Sequence, residues 1–206
     1  MRSRGRRAVF FDRDGVLTEP VWNPATGQHE SPHSVDDLRL CPDVAGPLRQ
    51  LRERGFELYI VSNQPSYAKG KASLAALEAI AAAVEERFRD LGVTFRQAYY
   101  CFHHPAGVVP SHSAPRRCRK PEPYFLALAA ERHGVDLGRS WMVGDRDSDV
   151  ECGQRAGCRT ILIAQHEARR YQGASHADHV APDAAAATAL ILSATQADDN
   201  EPGPGG

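Results

Sequence analysis

Short apolar runs separated by amphipathic stretches organise this chain. Ala8-Val9-Phe10-Phe11 reads as a buried strand, as do Phe56–Val61, Gln97–Phe102, Trp141–Gly144 and Arg159–Ile163, with Asp178–Val180 as a short last one. Between them the period changes to that of a helix. Leu74, Leu77, Ile80, Val84, Phe88 and Leu91 stand at helical spacing behind Ser73, a capping residue. Further helices are expected from an Asp43 cap to Gly55, from about Glu122 to His133 before Gly134, from Asp147 to Ala156 before Gly157, and from Pro182 to about Leu192. Strands alternating with helices predict an α/β fold, three-layered and Rossmann-like, with a mostly parallel sheet. Residues 13–42, polar and broken by Pro20, Pro24 and Pro32, read as one long connection of the kind that carries function. Residues 1–193 are read as one domain and 194–206 as a disordered tail.

Parallel sheets bind ligands beyond the carboxyl ends of their strands. The polar residues that end these strands are Asp12 and Asp14, Ser62 and Asn63, and Asp145 with Asp149, while Lys120 stands on its loop just before the third helical stretch. Two carboxylates two residues apart repel unless a cation lies between them, and Mg²⁺ takes such oxygen ligands. An Asp carboxylate can also attack phosphorus and become an aspartyl-phosphate. Asp12-x-Asp14-Gly15 by itself is equally compatible with an ordinary strand-to-turn junction. The convergence of separate clusters on one sheet edge is what favours chemistry.

Composition narrows the partners. Net charge is −1 with no basic stripe, which disfavours nucleic acid, and no run approaches membrane-spanning length. Arg2, Arg4, Arg6 and Arg7 form a short basic arm, read as a solvated tail. Five cysteines are an odd number in a chain of this size, so a reduced, cytoplasmic protein with metal-ligating thiols fits better than a disulfide scaffold. Cys41, Cys152 and Cys158 read as packing residues. A monomer or weak homo-oligomer is expected.

The motifs Asp12-x-Asp14-Gly15, Ser62 at a strand end, Lys120 before a helix and Gly144-Asp145-x-x-x-Asp149 resemble those of the haloacid dehalogenase (HAD) superfamily over roughly residues 8–165. Val61-Ser62-Asn63-Gln64, Cys101-x-His103-His104-Pro105 and Cys118-Arg119-Lys120-Pro121 are similar to its histidinol-phosphatase and heptose-bisphosphate phosphatase branch. The resemblance implies a HAD fold with minimal or no cap and a Mg²⁺-dependent phosphatase acting on a phosphorylated sugar. It makes Asp12 the nucleophile and Asp14 the general acid and base, with Asp14 protonated at the start. Mg²⁺ is then held by Asp12, the Asp14 backbone carbonyl and Asp145. Ser62, Asn63 and Gln64 bind phosphate with Lys120, Arg119 grips a second anionic group, and Asp149 binds through a metal water or orients Lys120.

The same branch implies structural zinc. Cys101, His103 and Cys118 match three ligand positions, but Arg116 stands where the family has a further Cys; His112, or else His104, is the candidate replacement. Heptose 1,7-bisphosphate 7-phosphatase activity leads, histidinol-phosphate phosphatase follows, and a non-catalytic binding protein on the same fold is the alternative of another class.

Overall fold

The computed structural model describes residues 5–164 and 166–200; Arg2 and Arg4 of the basic arm and residues 201–206 of the expected tail lie outside these. Its frame is a six-stranded sheet in the order β5-β4-β1-β6-β7-β8. The strands are β1 (Ala8–Phe11), β4 (Glu57–Asn63), β5 (Gln97–Cys101), β6 (Trp141–Gly144), β7 (Arg159–Ile163) and β8 (His179–Ala181). Every neighbouring pair is parallel, as the alternating pattern predicts.

Side chains leave a strand on alternate faces, and each face of this sheet has its own helical cover. Val9, Phe11, Leu58, Ile60, Val143 and Ile161 pack against α1 (Ala45–Glu53), α2 (Leu74–Asp90) and α5 (Ala184–Asn200). Ala8, Phe10, Tyr59, Val61 and Met142 pack against α3 (Tyr124–His133) and α4 (Asp147–Ala156). These are the three layers. The chain passes from β1 to β4 on one side and later to β6 on the other, so the order reverses at β1. Such a reversal opens a crevice at the strand ends, and Asp12 follows β1 directly.

Local signals hold at Ser73, whose hydroxyl accepts from Ala76 N at 3.1 Å, and at Gly134 and Gly157, both left-handed C-caps. Three expectations are corrected. Asp43 does not cap α1: its φ is +53° and the cap position is Val44. The helix expected to stop near Leu192 runs to Asn200, so residues 194–200 are not a tail. Ala194 packs on the core, and Thr195 Oγ1 donates to Ile191 O at 2.7 Å. Lastly, the 13–42 connection is not structureless. It contains an antiparallel hairpin, β2 (Val21–Asn23) and β3 (Gln28–Glu30).

Candidate active site

β1 ends at Phe11, and the next residues turn rather than extend. Asp12 N still donates to Val143 O at 2.9 Å, which locks the first acid to β6. Gly15, at φ +82°, completes the turn. A Cβ there would lie 2.6 Å from Asp145 Oδ2, so only glycine lets the two segments come this close. At the end of β6, a Cβ on Gly144 would meet Asp149 at 2.2 Å, and α4 can therefore bring that carboxylate against the strand.

The result is a buried carboxylate cluster. Ligand oxygens of Asp12, Asp145 and Asp149 all lie within 4.8 Å of one another. Lys120 Nζ stands 3.0 Å from Asp12 Oδ1 and 2.7 Å from Asp149 Oδ1, and donates to Val61 O at 2.5 Å. Burial opposes the Lys120 charge, yet Asp12 and Asp149 hold its pKa above the usual lysine value. Asp149 Oδ2 also accepts from Arg146 N at 3.0 Å. Asp149 thus pairs with Lys120 through one oxygen and accepts from the Arg146 main chain through the other. One ammonium among three carboxylates leaves the cluster negative. Burial, then Asp12 and Asp149, push the Asp145 carboxyl well above the ordinary range. Its Oδ1 is buried without a hydrogen-bond partner, and Arg146 Nε is no nearer than 3.7 Å. An all-oxygen donor set with an orphaned acceptor fits a hard divalent cation.

Asp14 lies apart from that cluster. Arg13, fully buried, grips it with two bonds: Nε to Oδ1 at 2.8 Å and a terminal nitrogen to Oδ2 at 3.0 Å. Thr18 Oγ1 donates to Oδ1 at 3.0 Å, while Ser31 Oγ and Gln64 Nε2 each donate to Oδ2 at 2.7 Å. Burial alone raises this carboxyl, but Arg13, Ser31 and Gln64 together hold it at about 2. The expectation of a protonated Asp14 is thus not met, because every contact is a donor that favours the anion. The Asp14 carboxylate, committed to these donors, also does not join the cation-binding group.

Other expected residues divide. Lys120 and Arg119 line the crevice with Asp12, Asp14 and Asn63. The Asn63 side chain is engaged in a reciprocal clasp: Nδ2 donates to Lys120 O at 3.1 Å and Oδ1 accepts from Lys120 N at 3.0 Å. Gln64, expected to touch substrate, is fully buried; its amide donates to Asp14 and to Ser62 Oγ at 2.9 Å, and accepts from Arg13 at 2.7 Å. With a lone pair of Ser62 so occupied, its hydroxyl proton remains available as a donor.

Sequence reading did not single out Arg146 and Ser148, which also line the crevice, as do Ser31 from the 13–42 connection and Lys69. Arg146 follows Asp145 directly, so adjacency to a motif acid was the available signal. Lys69 loses basicity through burial and through Lys71, Arg119 and Arg146, basic side chains that line the same crevice. Lys71 is committed to Glu30 Oε1 at 2.6 Å.

At the end of β5, ligand atoms of Cys101, His103 and Cys118 also fall within 4.8 Å of one another. The hydrogen bond from Cys118 holds the Cys101 thiol down at about 7. His112 is not in this group: its ring stacks on His103 at 4.5 Å and its Nδ1 pairs with Ser111 Oγ at 2.9 Å. His104 Nδ1 accepts from Ala106 N at 3.1 Å.

Comparison with known proteins fits this geometry. A family model for HAD-hydrolase-like proteins matches residues 117–187. A HAD-like phosphatase from Mesorhizobium loti has the same fold, with a TM-score of 0.76 at 26% identity over 95% of this chain and 88% of that one. Fold and site together define a phosphoric monoester hydrolase of the HAD superfamily. The D-glycero-D-manno-heptose-1,7-bisphosphate 7-phosphatase of Thermosynechococcus vestitus is 35% identical over 195 residues, 90% of this chain and 95% of its own. The D-glycero-beta-D-manno-heptose-1,7-bisphosphate 7-phosphatase of Escherichia coli K12 is 31% identical over 158 residues, 77% of this chain and 78% of its own. The chain belongs to this heptose-bisphosphate phosphatase family. The D,D-heptose 1,7-bisphosphate phosphatase of B. bronchiseptica, solved with magnesium and phosphate, shares the fold at a TM-score of 0.75 and 24% identity, covering 91% of this chain and 99% of that one.

Proposed function

We propose that this chain removes the 7-phosphate of D-glycero-D-manno-heptose 1,7-bisphosphate through a phosphorylated Asp12. The observation that carries the reading is the placement of Asp12 on the crevice wall, 3.0 Å from the buried Lys120 ammonium and within the carboxylate cluster. Lys120 lowers the cost of bringing an anionic phosphate to an anionic nucleophile. An Asp12 oxygen forms a bond to phosphorus as the bond to the C7 oxygen breaks, and that alkoxide takes up a proton. Water then attacks phosphorus, inorganic phosphate leaves, and the Asp12 carboxylate is restored. Asp14 handles both protons: it gives one to the C7 alkoxide and takes one from the attacking water. In its present contacts it is in the accepting form, so the first step requires it to gain a proton as the anionic substrate enters the crevice and raises its pKa.

Asp12, Asp145 and Asp149, with the Asp14 carbonyl expected from the family motif, would hold Mg²⁺. When bound, this ion supplies neutralisation of charge on the phosphoryl oxygens. Arg119, Lys69 and Arg146 serve the second phosphate, since they share one rim of the crevice and a bisphosphate presents an anion at each end. Zinc held by Cys101, His103 and Cys118 would tie down the 103–118 loop; these residues fill three of the four positions a closed site uses.

Phosphate release over a panel of heptose 1,7-bisphosphate, histidinol phosphate and simple sugar monophosphates tests the assignment. The bisphosphate is expected to give the highest kcat/KM by at least about 10-fold, and Asp12→Asn to remove release from all of them. Equal low rates across the panel would overturn the substrate, and an active Asp12→Asn variant would overturn the nucleophile.

A further inference from the structure

Ser31 enters the site from outside the sheet. Arg13, Thr18 and Gln64, the other donors to Asp14, are all fully buried and belong to the segments that leave β1 and β4. Ser31 instead follows β3 and lines the crevice, as Asp14 does. Its hydroxyl therefore covers Asp14 from the side on which substrate must arrive. Asp14 Oδ2 receives Arg13 and Gln64 as well, so its burial is satisfied without Ser31. A third donor on that oxygen is not needed for folding.

The hairpin is tied down on both sides of this serine. Glu30 pairs with Lys71 at 2.6 Å, and His33 Nε2 meets Ser66 Oγ at 3.2 Å. Lys71 and Ser66 both lie on the loop that leaves β4, and Pro32, between Glu30 and His33, is buried. Three contacts of residues 30–33 thus reach the site: one to Asp14 and two to the loop beside it.

We propose that Ser31 is a positioning residue for Asp14, delivered by hairpin β2–β3 and held in register by the Glu30–Lys71 and His33–Ser66 contacts. It fixes the crevice-facing oxygen of Asp14 at the place where the leaving oxygen arrives. The inference rests on the reading that Asp14 handles the leaving-group proton.

Steady-state kinetics on heptose 1,7-bisphosphate with Mg²⁺ test it. A hydrogen bond to a charged group corresponds to about 10- to 100-fold in rate. Ser31→Ala is expected to lower kcat by that factor while KM and thermal midpoint change little, and Ser31→Thr to recover kcat to within about threefold. Lys71→Met should lower kcat in the parent but add nothing in the Ser31→Ala background, because in that background the latch has no hydroxyl left to deliver. Unchanged kcat in Ser31→Ala, no rescue by Ser31→Thr, or an equal Lys71→Met effect in both backgrounds would overturn the proposal. Asp14→Asn, assayed alongside, separates the two levels. If it retains full kcat, the Asp14 reading itself fails; if it is inactive while Ser31→Ala is silent, only the role of Ser31 falls.

Discussion

Replacing Asp145 by Asn should make the metal-free protein more stable and the enzyme inactive. Asp145 is 5% exposed, its Oδ1 has no hydrogen-bond partner, and ligand oxygens of Asp12 and Asp149 lie within 4.8 Å. Two full charges at that distance repel by about 3.5 kcal/mol at an effective dielectric of 20. Lys120 offsets much of this, and proton uptake by Asp145 caps the remainder, so a net gain of roughly 1–3 kcal/mol is expected from the neutral isostere. For a chain of this length that raises the midpoint by about 2–12 °C. The pH dependence has a definite sign. Asp145 has a folded pKa above its unfolded value, so its contribution to stability is whole below pH ~4 and is lost as pH rises through the elevated value. The parent in chelator should therefore weaken as pH rises above ~4, and Asp145→Asn should flatten that slope. Adding Mg²⁺ should stabilise the parent, more so at the higher pH, and leave the variant nearly unmoved. Scanning calorimetry at two pH values, with chelator and with Mg²⁺, measures all of this. A variant no more stable than the parent in chelator, or one that gains as much from Mg²⁺, would refute the reasoning.

Two further outcomes follow from the outer parts of the site. Arg119→Ala should raise KM for a bisphosphate by roughly 10- to 100-fold and leave a sugar monophosphate almost unaffected, since a charged hydrogen bond to the second phosphate is lost; comparing the two substrates in one phosphate-release assay decides it. Cys118→Ser should lower the zinc content of purified protein, measured by elemental analysis, and increase protease cleavage within residues 103–118, because the metal clip limits the freedom of that loop.

Much of this architecture was legible from the chain, for a physical reason. Buried parallel strands must be apolar runs, and the polar residues that end them cannot be explained by packing, so Asp12, Ser62 and Asp145 stand out. Ser73 and Gly157 were readable because caps depend on local backbone chemistry. The hairpin was not, since three-residue strands such as Gln28-His29-Glu30 leave no period to detect. Asn23-Pro24-Ala25-Thr26-Gly27, with Gly27 at φ +62°, was the available turn signal. Side-chain direction was hardest. Extended geometry puts Asp12 and Asp14 on one side and Arg13 opposite, but the strand stops at Phe11 and the turn carries the Arg13 guanidinium onto Asp14. Gln64 was misread as a substrate contact because its neighbours face the crevice while its own amide turns inward. His112 was placed in the zinc group on loop membership alone, which says nothing about where a ring points.

The clasp between the Asn63 amide and the main chain of Lys120, joined by the bond from Lys120 to the Val61 carbonyl, separates two things that sequence order makes look continuous. The buried lysine takes its coordinates from β4, not from the excursion of residues 103–118 that precedes it. Insertions, deletions or loss of the thiol ligands in that excursion can therefore be tolerated by the reacting centre, leaving its length and composition free to drift toward a different sugar without resetting the chemistry.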